Sequence, residues 1–224
     1  MHLIRFLGFR VLEITSLNKS YSNTKVIQNL SFTFVSHGLY GIKGSNGVGK
    51  STLFRLIGGA EDPDSGTLRI HEKCSVRQPL EYRKSVCWMP GDDQVFPFMT
   101  PIEIFNFVSK ARPFLPDTEI SLVSEKLGLA PFLNTRFDQL STGNKKKTLL
   151  VMTLLSQSNV MLLDEPTNGL DVESQNVFKE LLDQQAKQKI ILFIDHFATD
   201  DQYPNSKWLK LDNDLAFLQD LDSK

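Results

Sequence analysis

The stretch Gly44-Ser45-Asn46-Gly47-Val48-Gly49-Lys50-Ser51-Thr52 constrains this chain more than any other. It has the spacing G-x-x-x-x-G-K-[ST] of a phosphate-binding P-loop. The apolar run Leu39-Tyr40-Gly41-Ile42 before it reads as a buried strand, and Leu53-Phe54-Arg55-Leu56-Ile57 after it reads as the first turns of a helix ending at Gly58-Gly59. A loop between a strand and a helix N-terminus aims successive backbone N–H groups at one spot, where the helix dipole also favours an anion. The glycines let the chain curl tightly and approach phosphates with no Cβ in the way. Lys50 is placed to reach β- and γ-phosphates, and the Ser51 hydroxyl to ligate Mg²⁺.

At 224 residues the chain fits one large domain, or a core with an inserted subdomain. A content of 41% hydrophobic and 23% charged residues is ordinary for a globular protein. The formal net charge of −1 gives no global basic field to attract nucleic acid. The one dense basic run, Lys145-Lys146-Lys147, reads as a solvated helix face. Two cysteines, Cys74 and Cys87, without metal-like spacing, argue for a reducing compartment and against a disulfide framework or zinc site. No stretch approaches the roughly 20 apolar residues of a membrane span. The first ten residues are apolar but interrupted by Arg5 and Arg10, and read as an edge strand, a disordered lead or a weak membrane-surface contact.

Val11–Thr15 and Val26–Val35 alternate and read as strands joined by a turn at Ser20–Asn23. They suggest a small antiparallel β-subdomain leaning on the nucleotide core. Tyr21 at its turn is placed either to stack on a base or to stand as a half-exposed turn tyrosine. Asp62-Pro63-Asp64-Ser65-Gly66 reads as a turn, Thr67–Ile70 and Ser85–Met89 as strands. Thr100-Pro101-Ile102-Glu103 combines an N-cap, Pro at N1 and Glu at N3, so a helix begins there. A second helix runs from about Thr118 to Leu127, with Gly128 as its stop. Residues of about 92–140 thus form a helical insert. Ser141 caps a long helix. Val160–Leu163 and Ile190–Ile194 are continuous apolar runs, as in parallel strands buried on both faces. Val172–Gln188 reads as an amphipathic helix, and Trp208–Leu211 with Leu215–Leu218 as a closing hairpin around Asn213-Asp214. The fold class expected is α/β: a P-loop NTPase core with a mainly parallel sheet, an N-terminal antiparallel β-subdomain and an inserted α-helical subdomain.

Asp164 and Glu165 end the Val160–Leu163 strand, and ligands in parallel α/β sheets sit outside the carboxyl ends of strands. Asp164 is placed to hold Mg²⁺, and Glu165 to orient or deprotonate an attacking water. Asp195-His196 ends the next buried strand at the same sheet edge, within reach of a γ-phosphate and that water.

Together these pieces resemble the ATP-binding-cassette (ABC) ATPase family, specifically a single nucleotide-binding domain of a transporter, over essentially the whole chain from Val11. Tyr21 matches the aromatic that stacks on adenine, and Gly44–Thr52 the Walker A loop. Leu140-Ser141-Thr142-Gly143-Asn144 looks like the signature motif LSGGQ. Val160–Glu165 matches Walker B with its catalytic glutamate, Gly169-Leu170-Asp171 the D-loop and His196 the switch histidine. The resemblance implies one ABC domain over residues 1–224, ATP and Mg²⁺ as cofactors, and Lys50, Glu165 and His196 in catalysis. It further implies a head-to-tail dimer, with the same chain or a homologous subunit. Ser141 and Gly143 of one copy would there face the γ-phosphate held by Gly44–Thr52 of the other.

Two positions depart from the pattern. Thr142 and Asn144 replace Gly and Gln in the signature. Pro90-Gly91 stands where a strand-Pro pair is typically followed by glutamine, so Gln94 is the candidate Mg²⁺ ligand in its place. By resemblance the chain is an ATPase subunit on the cytoplasmic face of a membrane, powering a separately encoded permease, most simply an exporter. The docking groove would be floored by residues 92–100 and the helix from Pro101, with Phe96, Phe98, Met99 and Phe105 as apolar contacts or as residues buried under the insert. The alternatives are a nucleotide-gated regulatory or scaffold module with weak hydrolysis, and a soluble ATPase acting on nucleic acid or ribosomes.

Overall fold

In the computed structural model of the chain, residues 11–91, 96–112, 116–195 and 202–212 are described, with the backbone alone for Phe217–Asp220. The elements in order are β1 (Leu12–Tyr21), β2 (Thr24–Phe34), β3 (Gly38–Lys43), α1 (Lys50–Ile57), β4 (Ser65–Ile70), β5 (Lys73–Cys74), α2 (Pro79–Lys84) and β6 (Val86–Met89). Then follow α3 (Pro101–Ala111), α4 (Asp117–Lys126), α5 (Thr142–Leu154), β7 (Val160–Asp164), α6 (Val172–Gln185), β8 (Ile190–Ile194), β9 (Ser206–Asp212) and β10 (Phe217–Asp220).

Six strands form one sheet in the order β10-β9-β3-β8-β7-β6. All neighbours in it are parallel except the β9–β10 pair. Its central strands are buried on both faces, as their unbroken apolar runs require. Val160 and Leu162 of β7, and Ile190, Leu192 and Ile194 of β8, enter one core with Leu53, Phe54, Leu56 and Ile57 of α1. The alternate residues, Met161, Leu163, Ile191 and Phe193, enter a second core with α3, α4, α5 and α6.

The second sheet is antiparallel, in the order β2-β1-β4-β5, and closes the first core with Leu12, Ile14, Leu17, Leu30 and Phe34. The expected β-subdomain is therefore present, but β1 runs to Tyr21 rather than ending near Thr15. A bulge hides the second half from a period-2 pattern. Ser16 adopts φ 45° and Asn29 φ 47°. The Ser16 N–H donates to Ser31 Oγ at 2.8 Å, and the Asn29 N–H to Asn18 Oδ1 at 2.8 Å.

Helix starts follow local chemistry. The Thr100 N–H donates to Glu103 Oε2 at 2.8 Å, and the Glu103 N–H to Thr100 Oγ1 at 3.4 Å, a capping box with Pro101 at the first helical position. Gly128 (φ 67°) ends the α4 segment as expected. α2 was not anticipated, because six residues are too few to show a period. Its Tyr82 is buried and donates to the Ile57 carbonyl at 2.8 Å.

Candidate functional site

β3 lies between β8 and β9 and delivers the Gly44–Gly49 loop to the carboxyl edge of the sheet, with α1 starting at Lys50. Gly47 (φ 79°) and Gly49 (φ 101°) hold the loop in left-handed conformations. A Cβ on Gly49 would sit 2.9 Å from Val26 Cγ1, so β2 and the loop touch there. Val48 turns its side chain into the core, and its N–H donates to the Ser45 carbonyl at 3.3 Å. Lys50 Nζ donates to the carbonyls of Gly44 and Ser45 at 2.8 and 3.0 Å. Burial pulls the Lys50 pKa down, and the nearby Asp164 charge partly offsets this.

A cleft of about 510 Å³ opens on this loop. Asn46, Gly47, Gly49, Lys50 and Ser51 line it from the loop, while Tyr21, Val26, Thr52 and Arg55 line the remainder. Tyr21 stands at the end of β1, 38% exposed. Its hydroxyl donates to Glu61 and accepts from Arg55 Nη2 at 3.2 Å.

Asp164 ends β7 in register with Ile194 at the end of β8. A Cβ on Gly91, just past β6, would lie 3.7 Å from Asp164 Cγ. Position 91 thus faces the acidic group although it carries no side chain. Glu165 sits at φ 49°, a strained conformation for a residue with a Cβ. Its N–H donates to the Ile194 carbonyl at 2.7 Å, and its Oε2 accepts from Asn168 Nδ2 at 3.3 Å. Asp195 accepts from Thr167 Oγ1 at 2.6 Å. The Walker B end and the end of β8 are thereby joined. His196 and Gln94 lie outside the described residues.

Ser141 N-caps α5, accepting from the Asn144 N–H at 3.2 Å. As a hydroxyl it keeps a proton to donate. Among the described residues, Ser141 and Gly143 do not line the 510 Å³ cleft. A Cβ on Gly143 would lie 3.0 Å from the Gly169 carbonyl, so this glycine lets α5 abut the turn before α6. The basic run corrects the expectation of a solvated face: Lys146 and Lys147 are 2% and 9% exposed. Ser141 and Thr142 at the start of α5 are exposed, burial begins one turn later at Lys146, and Lys147 extends its ammonium to Asp171 Oδ2 at 3.1 Å.

A family model described as ABC transporter matches residues 27–168. The chain belongs to the ABC transporter family. It is 28% identical to the ABC transporter ATP-binding protein NatA of Bacillus subtilis over 183 residues, 80% of this chain and 74% of NatA. It is 33% identical to the energy-dependent translational throttle protein EttA of Escherichia coli K12 over 181 residues, 79% of this chain but 30% of EttA. A solved structure of an ATP-binding subunit of an ABC transporter superposes with a TM-score of 0.83 at 25% identity, covering 95% of this chain and 90% of that one.

ABC domains bind ATP with Mg²⁺, and the cleft suits that ligand. Gly47 lines it, and a Cβ there would meet no atom within 4 Å, so open space lies where a side chain would stand. Asp164, whose charge acts on Lys50, is a hard oxygen donor suited to Mg²⁺. The apolar candidates for a docking groove divide. Phe105 is fully buried in the second core, Phe96 and Met99 are partly buried against it, and Phe98 is 77% exposed. Phe107, overlooked in the sequence, is half exposed and stacks edge-on with Phe96 at 5.4 Å. Arg55 at the cleft, and Glu61 in contact with Tyr21 and Arg55 behind it, were also missed. Arg55 falls three residues after Thr52 on a helix, a spacing that hints at its face, whereas no local signal marks Glu61.

Proposed function

We propose that this chain is one ABC ATPase domain that binds ATP and Mg²⁺, hydrolyses the nucleotide between two copies, and powers a separate membrane permease in the export direction from the cytoplasmic face. The observation that carries the ATPase reading is the meeting of three features at one sheet edge: the Lys50 loop, Asp164 within electrostatic reach of Lys50, and Glu165 one residue further. In this reading Tyr21 takes the base, and the backbone from Gly44 to Thr52 takes the phosphates with Lys50. Ser51 and Asp164 hold Mg²⁺, which neutralises phosphate charge when bound. The oxygen of a water bonds to the γ-phosphorus, the bond to the β–γ bridging oxygen breaks, and the water's proton passes to the Glu165 carboxylate. His196 and Gln94 complete the proposed set, and Ser141 and Gly143 act from the second copy.

Similarity to NatA over most of both chains supports coupling to transport. Among the described residues no helix is long and apolar enough to cross a membrane, which fits a permease supplied separately. The 33% identity to EttA favours a second reading, a role in translation. The near-zero net charge gives that reading no electrostatic help. Glu165→Gln should bind ATP as the wild type does and lose hydrolysis by at least about a hundredfold, the usual scale for a general base. Wild-type turnover in that variant would remove the catalytic assignment. Purification from membranes with a permease subunit, rather than with ribosomes, separates the two partners.

A further inference from the structure

Tyr21, Arg55 and Glu61 form a closed triangle in which each side chain touches the other two. The Tyr21 hydroxyl donates to Glu61 Oε2 and accepts from Arg55 Nη2 at 3.2 Å, and Arg55 Nε pairs with Glu61 Oε1 at 2.7 Å. The phenol's one proton and a lone pair are both used, so its ring direction is set from the oxygen end. Arg55 Nη2 also donates to Thr52 Oγ1 at 3.2 Å, which ties the triangle to the last residue of the P-loop. The Glu61 segment is itself fixed to β1: the Ser20 N–H donates to Asp64 Oδ2 at 2.7 Å, and Lys19 Nζ to the Asp62 carbonyl at 2.8 Å. Lys19 Nζ stands 5.5 Å from the Tyr21 ring centroid.

Tyr21 sits beside a hairpin turn and is 38% exposed, where an aromatic ring held by packing alone exchanges rotamers freely. We propose that Arg55 and Glu61 are positioning residues that lock the Tyr21 ring as the nucleobase platform and set its distance from the phosphate loop. This rests on the reading of the cleft as a nucleotide site. Fixing the ring in advance removes the ordering cost from the binding step. The phenol oxygen is turned into the protein, so the base is taken by the ring face rather than by a hydrogen bond to its edge.

The test compares Mg-ATP with Mg-tripolyphosphate, which has the phosphates and no base, by titration calorimetry on the full chain. Glu61→Gln and Tyr21→Phe each remove part of the triangle while keeping the ring. Each should weaken Mg-ATP binding about three- to tenfold, the worth of one hydrogen bond, and leave tripolyphosphate affinity unchanged. In a Tyr21→Ala background, Glu61→Gln should have no further effect, because Glu61 acts through the ring. Equal losses for both ligands, or a full additional loss in the Tyr21→Ala background, overturn the proposal, as does unchanged ATP affinity in both single variants. Failure of the wild type to prefer ATP over tripolyphosphate is a different result and removes the nucleotide-site reading itself.

Discussion

Gly47 and Gly49 stand two residues apart in one loop, both at left-handed φ, yet a methyl group has different consequences at each. At Gly49 it would meet Val26 Cγ1 at 2.9 Å and the Val26 carbonyl at 3.2 Å. At Gly47 it would meet nothing within 4 Å and stand in the cleft. Both substitutions incur the left-handed penalty of about 1–2 kcal/mol. Gly49→Ala should therefore lower the melting temperature more than Gly47→Ala, since it adds a clash between the loop and β2. Gly47→Ala should weaken ATP binding out of proportion to its effect on stability. Thermal unfolding and ATP titration of the pair check this, and equal melting temperatures would contradict the contact with Val26. Gly91 presents the reverse case. The atoms nearest to its Cβ would be those of Asp164, at ordinary contact distance, so Gly91→Gln should fold within about 0.5 kcal/mol of the wild type. It should also lower the Mg²⁺ concentration for half-maximal ATP hydrolysis, because the amide oxygen would reach the metal side of Asp164. An unchanged Mg²⁺ dependence would mean that position 91 does not serve the metal.

At the scale of elements, α5 and α6 are linked by residues that belong to different motifs. Asp171 caps α6, accepting from the Ser174 N–H at 2.8 Å and the Ser174 hydroxyl at 2.9 Å, and pairs with Lys147 of α5. These contacts, the Ser174 N–H first, hold the Asp171 carboxyl well below the usual carboxylate range. Its folded pKa is depressed, so its contribution is present above the unfolded value of about 3.9 and is lost as pH falls toward the folded value. The side chain is 59% exposed, so the charge pair adds little and the cap dominates. Asp171→Ala should cost about 1 kcal/mol at pH 7, and the gap should shrink as pH falls from 5 to 2. A gap independent of pH would contradict the cap. The elements themselves were largely legible in the sequence, because β7 and β8 are unbroken apolar runs and α3 carries three start signals within four residues. The second half of β1 was not legible, since the bulge at Ser16 breaks its alternation. The burial of Lys146 and Lys147 was not legible either. Nothing in a basic run reveals that the Gly169 turn packs against its helix.

The whole molecule presents a P-loop cleft and a capped α5 start that does not line it. The candidate site was legible where motif spacing sets chemistry, at Gly44–Thr52, Asp164 and Glu165. It was not where separate segments converge, as at Arg55 and Glu61, because only folding brings residues 21, 55 and 61 together. A second copy supplies the missing wall if its Ser141 and Gly143 meet the phosphates bound by the first. Ser141→Arg should then leave single-chain ATP affinity unchanged and abolish association, since the bulky cation fills the space over the γ-phosphate. The most direct measurement is the solution mass of Glu165→Gln by light scattering, with and without saturating Mg-ATP. The mass should double on adding Mg-ATP, and should stay at one chain when Ser141→Arg is introduced into the same variant. A single-chain mass for Glu165→Gln at saturating Mg-ATP, or doubling that persists with Ser141→Arg, would contradict an ATP site shared between two copies.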